Sequence, residues 1–192
     1  MKTGFFAMLS RMKYINRWGL MRNSRPESLS EHTLDVAVIA HALAVIRNRR
    51  FAGKVDCGRV ALLALYHDAP EIITGDLPTP VKYLNDEIRG AYKKVEHHAA
   101  RRLVAMLPDD LQPDYAALLE PDETAEEMAL VKAADKLSAL IKCMEEECAG
   151  NVEFKTAKEA TLRILQECPL PEVEVFLTQF IPAYRCTLDE LN

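Results

Sequence analysis

Helical periodicity fills most of this chain, while the signals that open and close β-hairpins are missing from it. No Asn-Gly or Asp-Gly dipeptide occurs, and sustained alternation of apolar and polar residues, the mark of a half-buried strand, is hard to find. The spacing predicts a helix over about Phe5–Tyr14, then a second opening where Ser28 and Glu31 stand at capping-box separation and running to about Asn48. A third follows Asp56, with Val60, Leu63 and Ala64 on one side, and ends near His67-Asp68 ahead of Pro70. Between Gly75 and Lys82, Pro78 and Pro80 remove donors and bias their predecessors toward extended geometry, which predicts a rigid loop. A long helix is expected over about Asp86–Met106, ended by Pro108. Another runs from Thr124, with Glu127 at capping-box spacing, to the natural stop at Gly150, and shorter ones cover about Glu153–Gln166 and Glu172–Ile181. With no repeat or long linker, 192 residues read as one all-α domain, 1–192, a helical bundle.

Composition narrows the class. Hydrophobic residues make up 49% and charged residues 28% of the chain, enough apolar material for a real core and too much for a disordered polymer. No uninterrupted apolar run approaches the ~18 residues of a membrane span. Ser10-Arg11 cuts the run Phe5–Leu9 before it reaches the length of a secretory core. The expectation is a soluble, cytoplasmic protein with no membrane partner. The five cysteines, Cys57, Cys143, Cys148, Cys168 and Cys186, include no CxxC pair and fall mostly in helical patterns, so they read as reduced packing residues. The net charge of −5 conceals an asymmetry: residues 1–26 carry Lys2, Arg11, Lys13, Arg17, Arg22 and Arg25 without one carboxylate, leaving 18 bases against 29 acids, or −11, for the rest. A basic segment on an acidic body suggests local handling of an anion, and the −11 body disfavours a nucleic-acid polymer. Solvated surface charge is the plainer alternative.

Three features draw attention together: His32 at the start of the second helix, His67-Asp68 at the end of the third, and Asp135 in the middle of the Thr124 helix. Each alone is weak. Asp135 is harder to dismiss, because its helical neighbours Val131, Ser138 and Ala139 make a small, largely apolar face on which an unpaired carboxylate is costly. A Lys or Arg would satisfy it, and so would a divalent metal. Two imidazoles and two carboxylates suit Mn²⁺, Co²⁺, Fe²⁺ or Zn²⁺, and water bound to such an ion becomes a nucleophile near neutral pH. Hydrolysis is the reaction class that follows.

His32, His67-Asp68 and Asp135 in this order resemble the H…HD…D signature of HD-domain metal-dependent phosphohydrolases. The strings Arg17-Trp18, Ser30-Glu31-His32, Tyr66-His67-Asp68-Ala69-Pro70-Glu71 and Gly75-Asp76-Leu77-Pro78-Thr79-Pro80-Val81-Lys82 are similar to those of the bacterial 5′-deoxynucleotidase (YfbR-like) branch, over nearly the whole chain. The resemblance implies a single HD-domain helical bundle, found as a homodimer, that uses metal-bound water to hydrolyse 2′-deoxyribonucleoside 5′-monophosphates. It implies one metal ion on His32, His67, Asp68 and Asp135, with cobalt favoured and manganese or copper as substitutes. Arg17 would grip the 5′-phosphate, Trp18 would lie against sugar or base, and Asp76 and Thr79 would contact substrate. Glu71 would orient or deprotonate the attacking water and Asp76 would protonate the departing 5′-oxygen, although exchanging these two roles leaves the same sequence.

Ordinary explanations exist for each: Glu71 as a first-turn acid after Pro70, Trp18 as core filler, Asp76 as a turn residue. His41, two and a half turns from His32, should point elsewhere, and His97-His98 sit among Lys93, Lys94, Arg101 and Arg102 on a solvated face. HD relatives that build two-metal centres need additional histidines in a distinct order, which this chain lacks, so the resemblance implies a mononuclear site. The rival readings are an HD hydrolase of triphosphates or cyclic nucleotides, a helical nucleic-acid-binding module, and a non-catalytic, metal-stabilised regulatory module.

Overall fold

α2 (Leu29–Arg50) begins with the anticipated capping box, and that box sets the position of the first functional side chain. Ser28 Oγ accepts from the Glu31 N–H at 3.3 Å while Glu31 Oε2 accepts from the Ser28 N–H at 2.8 Å, so two free donors at the helix start are satisfied just ahead of His32. The computed structural model describes residues 3–82 and 84–191. Along α2, Val36, Ile39, Ala40, Leu43 and Ala44 are buried, packed against α3 (Cys57–Tyr66) and α8 (Glu126–Cys148). These three helices, joined by α10 (Pro171–Gln179), enclose the larger core. A second apolar cluster, built on Phe5, Ala100, Leu103, Leu107 and Leu119, unites α1 (Phe5–Leu9), α6 (Asp86–Val104) and α7 (Gln112–Leu119).

The described residues contain no strand, only an isolated bridge between Asn16 and Ser28, and the all-α reading holds. Several local expectations change. The first helix tightens after Leu9 into a 3₁₀ turn over Ser10–Tyr14. The segment expected as loop, from Gly75 to Lys82, ends in a short helix, α5 (Thr79–Lys82), and another short helix, α4 (Glu71–Thr74), stands just before it. Pro80 is compatible with α5 because it lies in the first turn, where its missing N–H has no partner to lose. Gly75 between them has φ +74°, a conformation that favours glycine. α7 is not among the elements anticipated from periodicity. α8 starts two residues late and without the Thr124 cap, because the Thr124 hydroxyl and N–H both donate to Asp122 Oδ1, at 2.6 and 2.9 Å. Its end does follow expectation: Gly150 at φ +80° donates to Glu147 O and Asn151 N–H to Glu146 O, the paired bonds of a glycine-terminated helix. α9 (Lys155–Gln166) follows a 3₁₀ turn at Val152–Phe154.

The absence of a membrane-length segment needs correcting. Leu29–Arg50 is long and apolar enough to span a bilayer, with a mean hydropathy of 1.4 over its best window. Counting unbroken apolar runs misses it because His32, Thr33 and Asp35 interrupt the sequence. Half of that window is buried inside the bundle, as for a central core helix. The five cysteines are all free.

Because the capping box sets where α2 begins, Ser28→Ala should lower unfolding free energy by about 1 kcal/mol. A urea titration should show an earlier midpoint with an unchanged slope.

Candidate metal centre

His32 enters the site from the first turn of α2, His67 and Asp68 from the turn that ends α3, and Asp135 from the middle of α8. One donor atom each of His32, His67 and Asp135 lies within 4.8 Å of the others. Asp68 joins them: its Oδ2 is 3.1 Å from His67 Nε2 and 3.5 Å from His32 Nε2, while Asp135 Oδ1 is 3.2 Å from His32 Nε2. Short as these separations are, Nε2 of His32 and Nε2 of His67 are both buried without a hydrogen-bond partner. The nitrogens and carboxylate oxygens thus converge as ion pairs without hydrogen bonds at either Nε2, the arrangement expected of ligands to one central cation.

The outer edge of each ring is held by protein. His67 Nδ1 donates to the Ala64 carbonyl at 2.7 Å. Nδ1 of His32 meets Ser138 Oγ at 3.1 Å and Arg17 Nη1 at 2.7 Å. Both rings turn Nε2 toward the site; His67, donating to a carbonyl, has the usual outer support of a metal-ligating imidazole, whereas at His32 the Ser138 hydroxyl can accept from Nδ1 but Arg17 can only donate to it. Electrostatics agree. Burial opposes charge on His67, but Asp68 and Asp135 more than offset it and raise its pKa to about 9. Burial likewise works against the two carboxylates, and His67 beside Asp68, with His32 and Lys136 beside Asp135, holds both below the usual range. A field that retains a proton on His67 also retains a divalent cation. The donor set fits such an ion on these grounds.

The cleft beside the cluster has a volume of about 330 Å³ and is lined by His67, Asp68, Glu71, Lys82, Tyr92 and Asp135, among others. It lies where the two apolar clusters meet, with Met128 and Val131 from one and Ala100 and Leu119 from the other in its wall. Glu71 is buried, its Oε2 is unpartnered, and Lys82 Nζ stands 3.8 Å from its Oε1. Burial, reinforced by Asp68 and Asp76, pushes the Glu71 carboxyl up to about 9. Lys82 is itself tied to Glu96 at 2.8 Å and sits over the Tyr92 ring.

Arg17, Trp18 and Asp76 do not line that cavity. Arg17 Nη1 donates to Glu27 Oε2 at 2.8 Å, and its Nη2 lies 3.9 Å from Asp135 Oδ1. The Trp18 indole donates to the same Glu27 oxygen at 3.0 Å, and its ring packs on Phe154. The Asp76 carboxylate accepts from the Trp18 backbone N–H; burial raises its pKa, with Arg17 acting against the shift. Thr79 belongs to α5, but its side chain lies outside the described residues. Of the two alternatives its sequence context left open, Asp135 has the lysine, with Lys136 Nζ bonding its Oδ2 at 3.0 Å, while Oδ1 faces the cluster. His41, His97 and His98 are exposed, as expected. Glu27, Lys82 and Ser138 are the residues the sequence reading passed over. Ser138 had a signal, one turn after Asp135 on the same face; Glu27 had another, as the first carboxylate after six bases.

Comparison with known proteins agrees with this geometry. A family model described as 5′-deoxynucleotidase YfbR-like matches residues 4–184. The chain is similar to a 5′-deoxynucleotidase of Yersinia pestis, with 54% identity over 192 residues, covering 98% of this chain and 96% of that protein. A 5′-deoxynucleotidase of Pectobacterium atrosepticum is 52% identical over 189 residues, covering 98% and 95%. Among solved structures, an HD-domain phosphohydrolase from Listeria innocua superposes with a TM-score of 0.83 at 26% identity, covering 94% of this chain and 87% of that one.

The raised Glu71 pKa carries a stability consequence. Between its ordinary value of 4.5 and about 9 the folded protein binds a proton that the unfolded chain releases, so this group's contribution to stability is full below 4.5 and lost as pH rises through 9. In chelator-treated protein, Glu71→Gln should raise the thermal midpoint above wild type at pH 8, and the gap should close toward pH 4.5.

Proposed function

The chain belongs to the 5′-deoxynucleotidase YfbR-like family, and we propose from this that it hydrolyses 2′-deoxyribonucleoside 5′-monophosphates to deoxynucleoside and phosphate. His32, His67, Asp68 and Asp135 hold one divalent cation in this reading. The observation that carries it is the pair of buried, unpartnered imidazole nitrogens facing two carboxylates. Bound there, a divalent ion supplies Lewis acidity, making water a stronger acid and drawing charge from the phosphoryl oxygens. Cobalt is the favoured ion, with manganese or copper as substitutes, in keeping with a mixed nitrogen and oxygen donor set.

The chain's own groups do the rest. Arg17 offers its Nη2 edge, which stands 3.9 Å from Asp135 Oδ1, to the phosphate, where a planar donor fork suits the oxygens better than an ammonium does. Glu71 orients the attacking water and takes its proton; a cation nearby counteracts the burial that otherwise keeps this carboxyl neutral. As water adds to phosphorus, the bond from phosphorus to the 5′-oxygen breaks, and Asp76 delivers a proton to that oxygen. The raised Asp76 pKa favours the protonated form this needs. Trp18 lies against sugar or base, and Thr79 contacts substrate. Preference for deoxyribose comes from the family, and a 2′-hydroxyl buried without a partner is the physical means of rejecting ribose. A non-catalytic metal-stabilised module has no use for Glu71 and Asp76 beside the cluster.

A homodimer has a surface to form on: Leu34, Val38 and Val45 make an exposed stripe down α2, at 58%, 63% and 38% exposure. The free cysteines suit a reducing cytoplasm.

Protein stripped by chelator and reloaded with Co²⁺ or Mn²⁺ should release phosphate from deoxyribonucleoside 5′-monophosphates faster than from ribonucleotides or 3′-monophosphates; no metal-dependent release from any nucleotide ends this reading. Glu71→Ala should lose turnover and keep metal and nucleotide binding, whereas Asp68→Ala should lose metal by equilibrium dialysis. Sedimentation of Val38→Glu should show a monomer where wild type shows a dimer.

A further inference from the structure

Between Arg17 and Glu27 the chain makes a loop of unusual construction. Its base is closed by backbone bonds from Arg17 N–H to Glu27 O at 2.9 Å and from Leu29 N–H to Ile15 O at 2.8 Å. Its far side is pinned to α8: Glu146 accepts from the Ser24 and Arg25 N–H groups, Lys142 donates to Arg25 O, and Asn151 donates to Arg22 O. Trp18, at the start of the loop, has φ +60°, a left-handed conformation that is strained for a bulky side chain and persists only when its surroundings impose it.

At the centre of this loop one carboxylate oxygen does two jobs. Glu27 is buried, with 9% exposure, and its Oε2 accepts from both Arg17 Nη1 and the Trp18 indole N–H. Nη1 also meets His32 Nδ1 at 2.7 Å, and the guanidinium turns Nη2 toward the cluster, where it lies 3.9 Å from Asp135 Oδ1 within the field of Asp68 and Asp76. We propose that Glu27 is the positioning residue for substrate: it locks the Arg17 fork and the Trp18 ring into one arrangement and presents the Nη2 edge to the phosphate. Glu27 touches neither substrate nor cation and acts through these two side chains. This inference rests on the nucleotidase reading, in which Arg17 meets phosphate.

The chemistry favours a carboxylate at this position. Two N–H donors converge on one oxygen, one of them charged, and an ionised acid accepts both while offsetting the charge of the largely enclosed guanidinium. An amide of the same shape offers a weaker acceptor and a competing donor, so Glu27→Gln should loosen the arrangement without emptying the space.

The test uses Glu27→Gln and Glu27→Asp in the full-length protein. Trp18 is the single tryptophan of the chain, so intrinsic fluorescence reads this loop directly. In Glu27→Gln, without cation, Trp18 emission should shift as its indole loses the carboxylate. In the cation-loaded protein, KM for a deoxyribonucleoside 5′-monophosphate should rise about tenfold, the scale of one charge-assisted hydrogen bond. The affinity for inorganic phosphate should weaken by the same factor, with cation affinity unchanged. Glu27→Asp, which keeps the charge, should recover part of the loss, and it carries the comparison alone if Glu27→Gln does not fold. Unchanged KM and phosphate affinity overturn the proposal whatever the fluorescence does. A matching loss of cation affinity also overturns it, since that marks general loosening of the site. Should wild type release no phosphate from nucleotides, the nucleotidase reading fails, and weaker inorganic phosphate binding by Glu27→Gln still decides the role of Glu27.

Discussion

Four ionisable side chains from three helical segments meet near the centre of this bundle, and their mutual electrostatics govern what surrounds them. Two carboxylates and two imidazoles leave water together only when each charge finds a counterpart. Part of that compensation is internal, through His67 against Asp68 and Lys136 against Asp135. The remainder is an attraction for positive charge focused between two unpartnered imidazole nitrogens. The elements that deliver these groups are correspondingly well anchored: α2 by its capping box, the turn after α3 by the bond from His67 to Ala64, and α8 by packing along both other helices.

Around this centre the protein gives up local stability. Glu71 is buried with one oxygen unpaired, and Trp18 is held in a left-handed backbone conformation. Such features survive only where neighbours over-determine them. The neighbours here are specific: Lys82 on the cleft side, Glu27 and the clasp from α8 around Trp18. The site thus has two differently built flanks. One is a pocket between α6 and α8 with lysine and carboxyl groups in its wall; the other is a strapped loop that brings a single arginine to the cation position.

Much of this was legible in one dimension because it depends on short-range chemistry. The Ser28 box and the Gly150 stop are satisfied by backbone groups within a few residues, so their spacing suffices. Where local signals compete, spacing misleads. Thr124 and Glu127 have the separation of a cap, yet Asp122 captures the threonine first. Pro80 breaks helices in their interior but not in their first turn, so α5 forms where a loop was expected. α7 takes its place from contacts of Tyr115 and Leu119 with Phe5 and the second apolar cluster, which no neighbouring residue announces.

The amino-acid order alone determined the helical class, the boundaries of the main helices and the residue types able to hold a cation, and through its motifs the family. Tertiary structure decided what those residues face: that both Nε2 atoms converge without hydrogen bonds, that Lys82 stands over Glu71, and that Glu27 grips Arg17 and Trp18 with one oxygen. The reason is range. Caps and periodicity act over three or four residues, whereas the bond from His32 to Ser138 joins positions 106 residues apart, and only the packed bundle brings such groups within reach of one another.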